Sequence, residues 1–157
     1  MTLFFYAILN VLAMYLFIKK KKSLHILEIL VYWMIASYLY QNFSALCYMN
    51  FKRIIVPQQL SLEFAHFLNR IVLFPIVLVT FLHYFQIGRN LFKRFFIIIL
   101  SVFFLVGLEW LSDLFGVIKH VHWKLWWSFS FWLATQLILI GFMKFFQKIL
   151  YRGGWNI

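Results

Sequence analysis

Acidic residues, cysteine and the usual catalytic motifs are scarce in this chain. It has 157 residues with 4 Asp+Glu and a single cysteine, Cys47, which excludes an internal disulfide. It lacks a glycine-rich phosphate loop, a GxSxG motif, a nucleophile beside a base and an Asp-rich metal pattern. No catalytic residue and no cofactor is therefore predicted. Because no linker, repeat or low-complexity segment interrupts residues 1–157, they are expected to form one domain.

Apolar side chains dominate what is present. Hydrophobic residues make up 65% of the chain, aromatic residues 23% and charged residues 12%. Soluble domains contain about 45–50% apolar residues. A soluble fold of this length has too little interior to bury so much apolar surface. A bilayer removes the difficulty because the surrounding solvent is itself apolar. The composition therefore predicts an integral membrane protein.

Five apolar stretches predict an all-α, polytopic transmembrane helix bundle. Spanning needs roughly 17–25 helical residues, so the first stretch is short and the others are adequate. The stretches do not alternate polar with apolar residues, as strands of a membrane barrel would. Pro75 lies inside the third and predicts a kink, since proline lacks a backbone donor. The five are Leu3–Ile18, Leu24–Tyr48, Leu62–Phe85, Phe95–Phe115 and Leu125–Met143.

Positive charge is concentrated between these stretches, and the net charge is +11. The odd-numbered connections and the C-terminal tail hold ten Lys and Arg residues: Lys19 to Lys22, Arg89, Lys93, Arg94, Lys144, Lys148 and Arg152. The even-numbered connections hold four: Lys52, Arg53, Lys119 and Lys124. Basic residues favour the cytoplasmic side, so the N-terminus is expected outside and the C-terminus inside. Four spans, with the first segment outside the membrane, are the alternative. Anionic lipid headgroups are the expected partners, and nucleic acid is not.

Polar residues inside the stretches fall on two helix faces and one loop. Glu63, His66 and Arg70 share one face of the third helix. Glu109 and Asp113 share a face of the fourth, and both groups lie toward the predicted outer side. Charges at such depths usually face protein or water and mark function. The next loop carries His120, His122 and Lys124.

Arg70 and Glu109 are expected to pair. Their depths agree, at roughly 12 Å and 9 Å from the ends of the third and fourth stretches, and their helices are neighbours in sequence. The pair is either a structural link or part of a ligand site. Glu63 has a second interpretation, in which Ser61 caps the third helix and Glu63 stabilises its first turn.

The loop before the fifth helix is rich in histidine and tryptophan. His120 and His122 could bind a metal only with help from distant carboxylates, since alternate side chains of an extended loop point apart, and no metal is predicted. Trp123, Trp126 and Trp127, with Trp110 on the fourth helix, favour an aromatic belt at headgroup level. A cage for a cationic headgroup is the weaker alternative.

One segment resembles a known family. Residues Gly107 to Trp110 and Ile118 to Ser128 combine a glutamate on the fourth helix with a His-Trp-x-x-Trp start to the next. This pattern resembles an uncharacterised family of small multi-pass membrane proteins from spore-forming Bacillus- and Clostridium-type bacteria. The resemblance covers about the last third of the chain, with Glu63-Phe64 and Pro75 in support. It implies a bacterial cell membrane and carries over no catalytic residue.

Three functions are compatible with these features. The first is a non-enzymatic binding or accessory subunit, whose outer polar cluster holds a ligand, a lipid headgroup, another membrane protein or a second copy of the chain. The cluster comprises Glu63, His66, Arg70, Glu109, Asp113, His120, His122 and Trp123. The second is a small solute or ion-coupled transporter component that uses Arg70 and Glu109. The third is an intramembrane lipid-modifying enzyme with Glu109 or Asp113 as acid or base.

Overall fold

The computed structural model describes residues 2–19, 24–55 and 57–152, which form five helices. Lys20 to Lys22 of the first predicted loop lie outside the described residues. The helices are α1 (Thr2–Lys19), α2 (Ile26–Ala45, continued by a π-helical turn at Leu46–Asn50), α3 (Leu60–Ile87), α4 (Leu91–Leu114) and α5 (Leu125–Arg152). The predicted all-α helical bundle is confirmed. Each of the five apolar stretches matches one helix to within four residues at both ends, except that α5 continues nine residues beyond the predicted end at Met143.

Four of the described helices are long and apolar enough to cross a membrane: α1, α3, α4 and α5. The short first stretch therefore forms a helix of spanning length, with 18 residues. The helix that falls short is α2, whose second half carries Gln41 and Asn42 beside several tyrosines. Its α-helical part has 20 residues, so composition rather than length sets it apart.

Two short strands tie the connections together at one end of the bundle. Strand β1 (Ile54–Ile55) pairs antiparallel with β2 (Lys119–His120), and Ile54 lies opposite His120. We call this the strand end; α1, α3 and α5 begin there, whereas α2 and α4 end there. The opposite end, where α1 finishes at Lys19, is the lysine end. Every polar residue of the predicted cluster lies toward the strand end.

Helix α3 is the centre of the bundle and contacts all four other helices. Its core contacts are largely aromatic. The Phe74 ring lies 4.6 Å from the Tyr40 ring and 5.1 Å from Trp132, and Tyr40 stacks on Trp132 at 5.2 Å. This stack joins α2, α3 and α5 in a single layer beneath the strand end.

Pro75 has a visible consequence in α3. The helix is α-helical over Leu60–Leu68 and Phe74–Ile87, and a π-helical segment, Asn69–Leu73, joins the two. An ordinary α-helix would bond the carbonyl of Ile71 to the amide of residue 75, which proline lacks. The indole Nε1 of Trp33 donates to that carbonyl at 2.9 Å instead. In an apolar solvent such a substitute donor is required, because an unpaired backbone group costs several kcal/mol.

Candidate functional site

The structure divides the predicted polar cluster into two sites at the strand end. Glu63, His66 and Arg70 line one pocket between α2 and α3, in keeping with their shared helix face. Glu109, Asp113, His120 and Trp123 line a second, smaller cleft between α4 and α5. His122 lines neither cavity. Its backbone has a φ of 50°, its side chain is exposed, and its carbonyl accepts a long hydrogen bond of 3.4 Å from Arg53 Nη1.

Glu109 is a buried carboxylate with three donors. Glu109 is only 3% exposed. The indole of Trp132 donates to Oε2 at 2.8 Å, and the hydroxyl of Ser128 donates to Oε1 at 3.1 Å. His120 Nε2 lies 3.2 Å from the same Oε1. Trp123 in turn donates to the Ser128 hydroxyl at 2.8 Å, so the donors themselves are held in place.

His120 connects the two carboxylates of α4. Its backbone amide donates to Asp113 Oδ1 at 3.1 Å, and its ring Nδ1 lies 3.6 Å from that oxygen. Burial opposes charge on the ring, but the hydrogen bond to Glu109 and the negative charges of Glu109 and Asp113 outweigh it. The pKa of His120 is therefore raised above its ordinary value. When protonated, His120 balances the negative charge of the two neighbouring carboxylates.

The local chain path brings His120 back over the end of α4. Gly116 adopts a left-handed φ of 69°, a conformation that favours glycine. The amides of Gly116 and Val117 then bond the carbonyls of Asp113 and Ser112, each at 2.9 Å. Pairing of β2 with β1 fixes the following residues. The cleft that results holds about 100 Å³, and among the described residues no group of three His, Cys, Asp or Glu side chains is placed to hold a metal ion.

The pocket around Arg70 is larger, and its charged side chain lacks a hydrogen-bond partner that the Glu109 site provides. It holds about 500 Å³, and its walls come from the end of α2 and the first turns of α3. The Nε atom of Arg70 is buried and has no hydrogen-bond partner among the described residues. The lining residues are Ser44, Ala45, Tyr48, Met49, Leu60, Glu63, Phe64, His66, Phe67 and Arg70.

Irregular helix geometry shapes this pocket on two sides. Tyr48 and Met49 belong to the π-helical turn that ends α2, and Arg70 belongs to the π-helical segment of α3. π-Bulges occur frequently at functional sites, since they redirect side chains without ending the helix. Next to Arg70, Asn69 is 1% exposed and accepts a hydrogen bond of 3.2 Å from Asn10, but its own Nδ2 has no partner among the described residues.

Two sequence predictions about these residues are wrong. Arg70 and Glu109 form no direct ion pair among the described residues: Glu109 is bonded by Trp132, Ser128 and His120, and Arg70 Nε has no hydrogen-bond partner. Ser61 is not the cap of α3: the helix begins at Leu60, and Gln59 precedes it without a side-chain cap bond. Glu63 nevertheless lies in the first turn, as predicted, and is exposed.

Sequence reasoning missed the residues that satisfy Glu109. Ser128 and Trp132 are four apart on α5 and so share a face. That spacing showed that the two side chains lie together on α5, but it did not show that they face Glu109 on α4. Tyr6 was missed as well: its hydroxyl lies 3.3 Å from Ser112 Oγ and joins α1 to the strand end of α4. Trp110 and Trp126 are exposed, whereas Trp123 is partly buried within the cleft.

Four long apolar helices, a lipid-compatible exterior and buried polar sites define a multi-pass helical membrane protein. Comparison of the chain with protein-family models, curated proteins and solved structures finds no match.

Proposed function

We propose that this protein binds an anionic amphiphile, with its phosphate-type headgroup on Arg70 in the pocket between α2 and α3. The observation that carries the proposal is the guanidinium Nε, which is buried beside a cavity of about 500 Å³ without a partner among the described residues. A buried donor of a charged group costs free energy when it is left unpaired. An anionic headgroup in the pocket would supply the missing acceptor, often with two parallel bonds.

Depth supports a ligand over water as the partner of Arg70. The residue lies about 15 Å from Leu60 along the helix at 1.5 Å per residue. A charge within the hydrocarbon costs about 2.5–3.5 kcal/mol on insertion scales unless it is paired or reaches the interface. In the described residues no carboxylate forms an ion pair with Arg70. Glu63, the nearest candidate by spacing, is exposed at the mouth of the pocket.

The remaining walls fit the apolar part of an amphiphile. Leu60, Phe64 and Phe67 line the pocket and are 83%, 52% and 45% exposed, so it opens sideways to lipid. Acyl chains can lie along these side chains while the headgroup reaches Arg70. Glu63 at the mouth would repel a purely anionic headgroup and attract the ammonium of a zwitterionic one. The proposal therefore assigns headgroup selection to Glu63 and affinity to Arg70.

The proposed function is binding rather than catalysis. The proposal also includes a location for the protein. Ser128 and Ser112 are buried and engaged in hydrogen bonds, so neither is poised as a nucleophile. The resemblance of the Glu109 to Ser128 segment supports a bacterial cell membrane. The charge asymmetry of the connections supports an outward-facing strand end, which would present the Arg70 pocket to the outer leaflet.

Lipid retention after purification tests the proposal. The Arg70→Gln variant should bind phosphatidylglycerol about tenfold more weakly than the original chain, a difference of roughly 1.4 kcal/mol, measured by native mass spectrometry. Lys124→Gln, an exposed cation at the same end, is the matched control and should bind normally. Arg70→Lys keeps the charge but loses the planar fork, so intermediate binding is expected.

The outcomes separate lipid from free anion and from surface charge. Inorganic phosphate that protects the original chain but not Arg70→Gln against heat, with no lipid retained by either, would assign the pocket to a soluble anion and overturn the lipid assignment. Equal losses in Arg70→Gln and Lys124→Gln would show a general surface effect and overturn the site. In Glu63→Gln, preference should shift from phosphatidylethanolamine toward phosphatidylglycerol.

A second candidate function rests on the other site. Glu109, His120 and Asp113 form a carboxylate–imidazole–carboxylate chain with contacts of 3.2 and 3.6 Å. Such chains carry protons in pumps and transporters. This observation favours the proton-coupled transporter component over the lipid-modifying enzyme. It predicts that reconstituted protein dissipates a pH gradient, and that Asp113→Asn abolishes this.

A further inference from the structure

A large apolar groove opens on the membrane face at the other end of the bundle. It holds about 640 Å³ and lies over α3, between α1 and α4. Ala13 and Leu16 form its α1 wall, Leu100 and Phe104 its α4 wall, and Val77 and Thr80 lie on its floor. None of these residues belongs to the Arg70 pocket or to the Glu109 cleft.

The groove exists because α1 and α4 meet at one end only. At the strand end the Phe5 and Phe115 rings stack at 4.9 Å, and Tyr6 reaches Ser112. Toward the lysine end the groove separates the two helices, and α1 packs on α3 mainly along the strand-end half of α3. The result is a wedge that is closed at the strand end and widens toward the lysine end.

An apolar wedge of this size inside a bilayer will be filled by hydrocarbon. A cavity of about 150 Å³ lined by apolar side chains holds a benzene molecule. The groove is about four times larger, so it has room for an alkyl chain of more than a dozen carbons. Protein interiors tolerate few voids larger than a water molecule, and a cavity this apolar offers water few partners.

Charge at the mouth identifies the headgroup. Lys19 follows Leu16 of the α1 wall by about one turn, and Lys93 precedes Leu100 of the α4 wall by about two turns on the same helix face. Both lysines are exposed, and both lie at the lysine end. Polybasic sites next to the hydrocarbon attract anionic lipid headgroups by about 1 kcal/mol per residue near the surface. We infer that the groove holds one acyl chain of an anionic phospholipid, whose phosphate lies between Lys19 and Lys93.

This lipid differs from the proposed Arg70 ligand in position and in determinants. It enters from the opposite end of the bundle, and a chain rather than a headgroup is its main contact. The occupied groove would hold α1 apart from α4 at the lysine end while the two helices remain joined at the strand end. The inference therefore stands whether or not Arg70 binds a ligand.

Photolabelling tests the groove directly. Protein in vesicles of phosphatidylglycerol that carries a diazirine near the chain terminus should be labelled on Ala13 to Phe17 and on Ile97 to Phe104. Ala13→Phe fills the groove and should abolish that labelling. Ala134→Phe places the same ring on the exposed face of α5 and should leave it unchanged. Both variants should melt as sharply as the original chain, which establishes that they are folded.

Two results would overturn the inference. Uniform labelling of every lipid-facing helix, unchanged by Ala13→Phe, would mean that only bulk lipid touches the groove. Protection of both segments from labelling, while other lipid-facing helices are labelled, would mean that protein such as a second copy covers the groove. The headgroup is tested separately: Lys19→Gln with Lys93→Gln should reduce labelling, and Lys144→Gln with Lys148→Gln, at the same end on α5, should not.

Discussion

Arg70 and Glu109 lie at the same end of the bundle but differ in how far the protein supplies their hydrogen-bond partners. Glu109 has a hydrogen-bond donor for each oxygen and a second donor on Oε1. Arg70 faces a cavity, and its Nε has no partner among the described residues. Both are charged groups at intramembrane depth, where a partner is obligatory. A charged group whose hydrogen-bond partners come from the protein stabilises the fold, whereas a buried charged group without such partners points to a ligand.

The difference follows from what each helix presents. The α5 face opposite Glu109 offers an indole and a hydroxyl four residues apart, and the loop before it adds an imidazole. Below Arg70 the corresponding layer is the Tyr40, Phe74 and Trp132 stack; its one hydrogen-bond acceptor is the Tyr40 hydroxyl, and Arg70 Nε makes no hydrogen bond to it. Glu109 and Arg70 share no hydrogen-bond partner among the described residues, so either can be altered without removing a hydrogen bond of the other.

The largest effect is expected from removing Glu109. Glu109→Ala should lower the free energy of unfolding by about 3–5 kcal/mol, since it leaves the Trp132 indole and the His120 ring buried without their acceptor. Reversible unfolding in detergent measures this. Glu63→Ala is the matched control, because this exposed carboxylate should change stability by no more than about 0.5 kcal/mol. Equal losses in both variants would remove the contrast between a satisfied and an exposed site.

The Arg70 site predicts a smaller effect whose sign depends on lipid. Arg70→Met keeps the length of the stem but removes the unpaired charge, so it should raise the melting temperature in lipid-free neutral detergent. With phosphatidylglycerol present the order should reverse, because ligand binding stabilises only the original chain. A variant that is less stable in both conditions would show that Arg70 has a protein partner.

A double-mutant cycle sharpens the same point. Arg70→Ala and Glu109→Ala should be additive within about 0.5 kcal/mol, since the two residues share no contact. The ion pair expected from the sequence would instead couple the two substitutions. A coupling energy above about 1 kcal/mol would restore the direct or water-mediated pair.

The helices could be predicted from the sequence, but their partners across the bundle could not. Runs of apolar residues placed all five helices, because a bilayer imposes length and composition on each segment independently. The i, i+3, i+7 spacing placed Glu63, His66 and Arg70 on one pocket, since helix periodicity is a local property. Pairing between helices depends on rotation and on irregular turns. Pro75 signalled an irregularity in α3, but the π geometry of Asn69–Leu73 and the α5 donors to Glu109 have no local sequence signal of that kind.

The smallest effect concerns the proton on His120, and it tests whether the Glu109 site is satisfied at every pH. The folded pKa of His120 is raised by Glu109 and Asp113 despite burial. Its contribution to stability is thus complete below the ordinary pKa of about 6.5 and is lost as pH rises through the raised folded pKa. Above that pH two carboxylates share a site with a neutral ring, although the Trp132 and Ser128 donors to Glu109 remain.

The melting temperature of the original chain should therefore fall modestly on going from acidic to mildly alkaline buffer. His120→Gln should flatten that part of the profile, while the exposed His122→Gln should retain it. Two cations lie in or beside the strand pair that holds His120: Arg53 precedes β1, and Lys119 lies in β2. Arg53→Gln checks that these cations do not set the slope of melting temperature against pH. A profile that His120→Gln leaves unchanged would mean that the proton lies elsewhere and that Glu109 is satisfied by the α5 donors alone.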